Sequence, residues 1–239
     1  GFMAKDETGK WRFTSLLAEA RAAGFEFPEE IWHVAATPAG IVFVAARQML
    51  RWRDGRFELW TLPCAPRLFA HMLAGELIVH QPGAGLLQVG PDGPHLVKTA
   101  AELPEGLILW AVALPESNDP APAGALKTFL AGTNDGVYRL GPGTVELLPE
   151  LSAAIAGQLP TCAVLLDDAT LALGTYQRGI LIATLEDGRP SRFLDRRPGL
   201  PDDRVNHLLA DAHGQLWARL SVGLARVGAA QQGCLVGQR

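Results

Sequence analysis

From Gly199 to Val227 the chain reads GLPDDRVNHLLADAHGQLWARLSVGLARV, short apolar runs separated by turn-forming residues. Gly199, Pro201 and the Asp202/Asp203 pair favour a turn, because proline presets φ and aspartate accepts from nearby backbone donors. Val205 to Asp211 is an apolar run. Asp211-Ala212-His213-Gly214 then supplies the carboxylate and the glycine of a tight reversal. Gln215 to Leu220 returns, Ser221-Val222-Gly223 turns again, and Leu224-Ala225-Arg226-Val227 alternates as a half-buried strand does. The pattern predicts three antiparallel strands.

The same pattern recurs upstream. Ile31 to Arg53 overlays Val205 to Val227 without a gap, setting His33 on His207, Gly40 on Gly214, Phe43 on Trp217 and Leu50 on Leu224. Thr128 to Leu140 matches the second half, and Glu76 to Val89 and Thr170 to Ile182 fit with one extra turn residue. The turn before the third strand falls at Met49, Gly85, Gly136, Gly179 and Gly223, at intervals of 36, 51, 43 and 44 residues. These intervals suit a four-stranded propeller blade of about 40 to 50 residues. The longest contains Pro115 to Gly124, PESNDPAPAG, which reads as an exposed insertion. Charged outer strands follow at Phe57 to Trp60, His95 to Val97 and Ser191 to Leu194, as protection of a sheet edge requires.

The expected fold is therefore all-β: a β-propeller of about five to six four-stranded antiparallel blades, a fragment of a larger propeller. As a single propeller domain or part of one, residues 1–239 divide into a partial blade over 1–14 and blades over about 31–60, 67–98, 107–148, 161–195 and 204–236. Ser15 to Ala23 predicts a short helix capped by Ser15 and ended by Gly24, and Ser152 to Ala156 a further helical turn. Gly1-Phe2-Met3 falls inside a strand-like run, so an excised fragment is expected. Residues 228–239 are expected to give a last outer strand. Open ends could pair with a second copy, giving a homodimer.

Composition narrows the function classes. A net charge of −4 lacks the basic excess needed to neutralise nucleic-acid phosphates, so nucleic acid is not an expected partner. The 26 glycines and 17 prolines are spread along the chain and read as many turns. No apolar run approaches about eighteen residues and no leader pattern opens the sequence, so any membrane contact is expected only through other parts of a larger protein. Cys64, Cys162 and Cys234 are too widely spaced for a disulfide framework or a zinc knuckle.

Propeller ligands bind at one end of the disc, on loops preceding the innermost strands and loops joining second and third strands. The overlay assigns Trp32, Arg67, Trp110, Arg204 and Asn206 to the first set, and Arg47, Gln48, Gln81, Asn134, Asp135, Tyr176, Gln177 and Arg178 to the second. Of these, Trp32, Arg47, Arg67, Trp110, Asn134, Tyr176, Arg178, Arg204 and Asn206 form the candidate ligand-binding set. Guanidinium, amide and aromatic groups there suit an anionic or carbohydrate-like small molecule, although loops are polar in any soluble protein. His33 and His207 share a repeat position, but no third ligand accompanies them, so no metal or other cofactor is expected. Trp217, Phe43, Leu130 and Ile78 share a register and read as packing between blades. No nucleophile elbow, phosphate loop or zinc helix appears, and Asp167-Asp168 and Asp202-Asp203 read as turn carboxylates. No catalytic residue is assigned.

Gly199-Leu200-Pro201, Val205, Asp211, Gly214, Leu216-Trp217, Gly223-Leu224 and Arg226 together resemble the two-component-regulator propeller repeat. Ala218-Arg219-Leu220 departs from the small Gly-Thr pair usual there, which Gly132-Thr133 and Gly174-Thr175 keep. The resemblance covers most of the chain. It implies a non-enzymatic sensor or interaction segment of a bacterial membrane receptor, periplasmic, whose full-length form carries a histidine kinase or diguanylate cyclase output. The alternatives are a propeller enzyme of lactonase, lyase or glycosidase type, which would show channel-facing acids and a bound metal, and a protein-scaffolding propeller.

Overall fold

A computed structural model describes residues 1–26, 30–62, 67–115, 126–185, 188–197, 199–227 and the backbone of 235–236. Cys64, Cys234, Asp187, residues 116–124 of the insertion and nearly all of 228–239 lie outside the described residues. The chain forms two compact units, Gly1–Ala100 and Ala101–Arg239.

The first unit opens with a two-stranded hairpin, β1 (Phe2–Lys5) and β2 (Trp11–Thr14), followed by helix α1 (Leu17–Ala22). Two four-stranded antiparallel sheets follow. One runs β3 (His33–Thr37), β4 (Gly40–Val44), β5 (Gln48–Arg53) and β6 (Arg56–Thr61). The next runs β7 (Phe69–Leu73), β8 (Glu76–Gln81), β9 (Gly85–Gly90) and β10 (Gly93–Thr99). In each, sequential strands are neighbours. Apolar side chains of one sheet face those of the next: Val42, Val44 and Met49 pack with Leu77, Val79 and Leu87. Each fully buried aliphatic side chain contributes about 1.5 to 3 kcal/mol.

The second unit repeats the plan three times. Its sheets are β11 (Trp110–Ala113), β12 (Phe129–Gly132), β13 (Val137–Gly141) and β14 (Thr144–Leu147), followed by helix α2 (Pro149–Ala154); then β15 (Pro160–Leu165), β16 (Thr170–Thr175), β17 (Ile180–Thr184) and β18 (Pro190–Leu194); then β19 (Val205–Ala210), β20 (Leu216–Leu220), β21 (Gly223–Val227) and β22 (Leu235–Val236). Leu130, Val137, Leu171, Leu173 and Leu181 join the first two of these sheets, and Ala172, Ile180, Val205, Leu216 and Ala218 the second and third.

Three local expectations are corrected. Ser15 is not the cap residue of α1: the helix starts after Leu16, and the Ser15 hydroxyl accepts only from the Leu17 amide at 3.3 Å. Met49 is not a turn residue. Ala45 and Gln48 close the turn, and Met49 is wholly buried in β5 opposite Val44. The ungapped overlay also slips by one, because the first hairpin of the last sheet, Ala212–Gly214, holds one residue more than Pro38-Ala39. Val42, not Phe43, therefore takes the place of Trp217, while Phe43 meets Phe57 edge-on at 6.0 Å. His33 and His207 remain equivalent.

The Gly-Thr pairs acquire a physical reason. A Cβ on Gly132 would lie 2.0 Å from the Trp110 ring, and one on Gly174 would meet Cys162 and Val205. Thr133 and Thr175, both fully buried, donate from Oγ1 to the carbonyls of Gly136 and Gly179, and accept from the amides of Asp135 and Arg178. The threonine thus braces the turn between second and third strands.

One arginine arrangement recurs between sheets. Arg51 of β5 pairs with its cross-strand neighbour Glu58 and donates from Nη1 to the Gly90 carbonyl of the next sheet at 3.0 Å. Arg139 of β13 pairs with its cross-strand neighbour Glu146 at 2.9 Å and reaches the Leu185 carbonyl of the next sheet at 3.5 Å.

His80 is buried in β8, and burial lowers its pKa from 6.5 to about 4. The unfolded chain takes up this proton near 6.5, so the unfolded state binds more protons between those values. Stability is expected to fall by roughly 2 to 3 kcal/mol from this group as pH drops from about 6.5 to about 4. Thermal melts across that range should show a shallower decline for His80→Gln.

Candidate functional site

The sequence-assigned residues fall into separate clusters. In the first unit, Trp32 precedes β3 and is half exposed, its amide donating to the Val44 carbonyl at 2.9 Å. Arg67, just before β7, lays its guanidinium over the Trp32 ring at 4.2 Å and the Phe69 ring at 5.1 Å. The turn bearing Arg47 adjoins them, since the Leu68 amide donates to the Ala46 carbonyl at 3.1 Å. The resulting shelf offers aromatic surface beside positive charge.

Trp110 belongs elsewhere. Sequence reasoning put it on the ligand face, yet it is 4% exposed and packed with Leu130, Val137 and Leu171. The side chain that strand periodicity made look accessible is drawn inward by the space over Gly132. Asn134 is exposed in the turn between β12 and β13, beside Asp135.

In the second unit, loops carrying Gln177 and Arg178, between β16 and β17, meet the segment Asp195-Arg196-Arg197 after β18 and Asp203 before β19. Together they line a cleft of about 380 Å³. Asp203 fixes both walls: its carbonyl accepts from the Gly179 amide at 2.8 Å, and its Oδ1 from the Arg196 amide at 2.8 Å. Arg178 stacks on Phe193 at 3.8 Å. Neither Arg178 nor Arg197 makes an ion pair among the described residues, although Asp195 and Asp203 line the same cleft. Arg196 and Arg204 are committed: both approach the buried Asp202 carboxylate, at 3.8 and 3.3 Å. Asn206 donates to the Ser221 hydroxyl at 3.4 Å, and Tyr176 is 40% exposed.

Sequence reading found Arg178 and Gln177 by register. It missed Asp195, Arg197 and the cleft-lining position of Asp203, whose only signal is that the link between sheets runs beside that turn.

Asp211 holds its hairpin by accepting from the Trp217 indole at 2.9 Å and the amides of His213 and Gln215, bonds that lower its pKa, the indole contact most. Burial raises the Cys162 thiol to about 11, far from a reactive thiolate. Burial also lowers the His33 pKa. Among the described residues no group of three or more His, Cys, Asp and Glu is placed to hold a metal ion, and no helix is long and apolar enough to cross a membrane.

No family model and no curated protein matches the sequence. Solved structures do match. The extracellular domain of a hybrid two-component system of B. thetaiotaomicron aligns with a TM-score of 0.58 at 17% identity, over 84% of this chain and 29% of that one. A second such domain from the same organism aligns with a TM-score of 0.59 at 13% identity, over 87% and 28%. The WD40 propeller domain of Doa1 aligns with a TM-score of 0.56 at 12% identity, over 82% and 62%. The fold is a β-propeller.

Each four-stranded sheet is thus a blade, its strands neighbouring one another in chain order. The chain spans less than a third of the two-component extracellular domains it matches. It shares its fold with the class of sensor region whose repeat its sequence resembles. Arg178 and Arg204 lie at the propeller end where second-to-third loops and blade-linking segments meet, and the cleft opens between two adjacent blades.

Proposed function

We propose that this chain is a non-enzymatic ligand-sensing propeller segment from the extracytoplasmic part of a bacterial two-component-type receptor. Its occupancy is passed to a cytoplasmic output module carried elsewhere in the full-length protein. The observation that carries this reading is the joint occurrence of the repeat around Gly199 to Val227 and a propeller fold shared with extracellular domains of two-component systems. The cleft between Arg178 and Arg197 supplies a place for a ligand, with walls already fixed by Asp203.

The test uses the full-length receptor in cells with a transcriptional or phosphorylation readout. Deleting the blade over 161–195 should abolish the ligand-dependent signal while the protein still reaches the membrane. A full-length chain without a membrane helix and a signalling module, or a signal indifferent to the deletion, overturns the reading. Purified protein is expected to turn over no lactone or ester substrate, and metal-dependent hydrolysis would favour a propeller enzyme instead.

A further inference from the structure

The cleft in the second unit is more specific than a polar groove. Its lining sets three guanidinium groups against two carboxylates. Each carboxylate already has Oδ1 filled from the backbone, Asp195 by the Arg197 amide at 2.8 Å and Asp203 by the Arg196 amide at 2.8 Å. Each keeps accepting capacity on its other oxygen. Arg196 is turned to Asp202 and to the Pro201 carbonyl, which its Nε meets at 3.3 Å. That leaves Arg178 and Arg197 as the lining cations without an ion pair among the described residues. Arg178 has its ring-facing surface covered by Phe193, so its N–H edge remains for a ligand and its plane is held in advance.

Two uncommitted guanidinium groups beside two half-filled carboxylates demand a ligand of mixed character. A bare inorganic anion would satisfy the arginines and leave the aspartates facing it. A neutral sugar would satisfy the aspartates and leave both arginines unpaired, at a cost that grows as the cleft is desolvated. We propose that this cleft binds a hydroxylated carboxylate of the sugar-acid class, its carboxylate held by Arg178 and Arg197 and its hydroxyls donating to Asp195 and Asp203. Gln177 can donate to or accept from a further hydroxyl. The volume of about 380 Å³ lies at the small end of ligand pockets and takes one or two sugar units. The ligand would bridge the β16–β17 turn and the segment linking two blades, so occupancy is felt at a blade junction. This inference rests on the sensor reading and names the ligand class of that same site.

The test is titration calorimetry of the 239-residue chain at low ionic strength with D-glucuronate and D-galacturonate, using D-glucose, D-galactose and L-glutamate for comparison. The uronates are expected to bind in roughly the millimolar range or tighter, and the neutral sugars at least about ten-fold more weakly. Arg178→Ala and Arg197→Ala should each lower uronate affinity about ten-fold or more, with the melting temperature unchanged for Arg197→Ala and only slightly lowered for Arg178→Ala, which loses the Phe193 contact, and raised salt should weaken binding. Equal binding of uronate and neutral sugar, tighter binding of glutamate, uronate affinity untouched by both variants, or no uronate heat at all would each overturn the assignment. Failure here is separable from failure of the sensor reading. A full-length receptor that still responds to its ligand with both arginines replaced keeps the sensor role and loses this site.

Discussion

Arg51→Ala is expected to lower the unfolding free energy by about 3 to 4 kcal/mol, measured by urea denaturation. Arg51 is 2% exposed, although it is charged, and three contacts justify its position. Its guanidinium pairs with Glu58, donates to the Gly90 carbonyl, and lies over the Trp60 ring at 5.2 Å. Truncation removes all three, leaves the Gly90 carbonyl without this donor and Glu58 with the longer Arg53 contact at 3.8 Å, and opens a cavity where the stem packed. Arg51→Met keeps most of the stem and should cost about half as much. A cycle with Glu58→Gln should show strong coupling for Arg51→Ala. Additive losses would mean that the side chain acts through packing alone.

Gly179→Ala is the second large effect, about 3 kcal/mol or more. Gly179 has φ +74°, and a Cβ there would stand 2.1 Å from the Leu194 carbonyl oxygen and 3.0 Å from the Asp195 Cα. The obstacle is backbone on both counts, so no side-chain rotation relieves it. Gly214→Ala is the control: φ is +71°, but a Cβ would meet nothing within 4 Å, so only the left-handed conformation is penalised, at about 1 kcal/mol. Equal losses at the two glycines would show that φ, not the close approach, governs. Because the Gly179 amide bonds Asp203, the first substitution should also weaken uronate binding, and the second should not.

The strands were legible because the turns are written in local chemistry. Asp211 and Gly214, or Asp54 and Gly55, specify a reversal from a few residues alone, and the strand period fills the space between. What local pattern could not carry is anything settled by a neighbouring blade. Trp110 occupies an alternating strand position like any other, and only the bare Cα of Gly132 draws it inward. Arg51 reads as a surface charge until the Gly90 carbonyl, far along the sequence, is set beside it. The slip between Phe43 and Trp217 has the same origin in part: Val42 faces the adjacent sheet and Phe43 its opposite side, a distinction that one extra residue in a hairpin erases from the sequence. The cleft was half visible, because Arg178 lies in a repeat turn, whereas Arg197 lies in a linker with no repeat position.

The tie made by Arg51 draws its carboxylate from its own sheet and reaches across the boundary to a backbone carbonyl. A carbonyl is present whatever residue stands there. A junction of this kind places no demand on the neighbour's side chains, so a repeat carrying it can be duplicated, lost or shuffled without a matching substitution across the boundary. Arrays assembled this way can change length by copying whole units, while the sequences of those units drift apart.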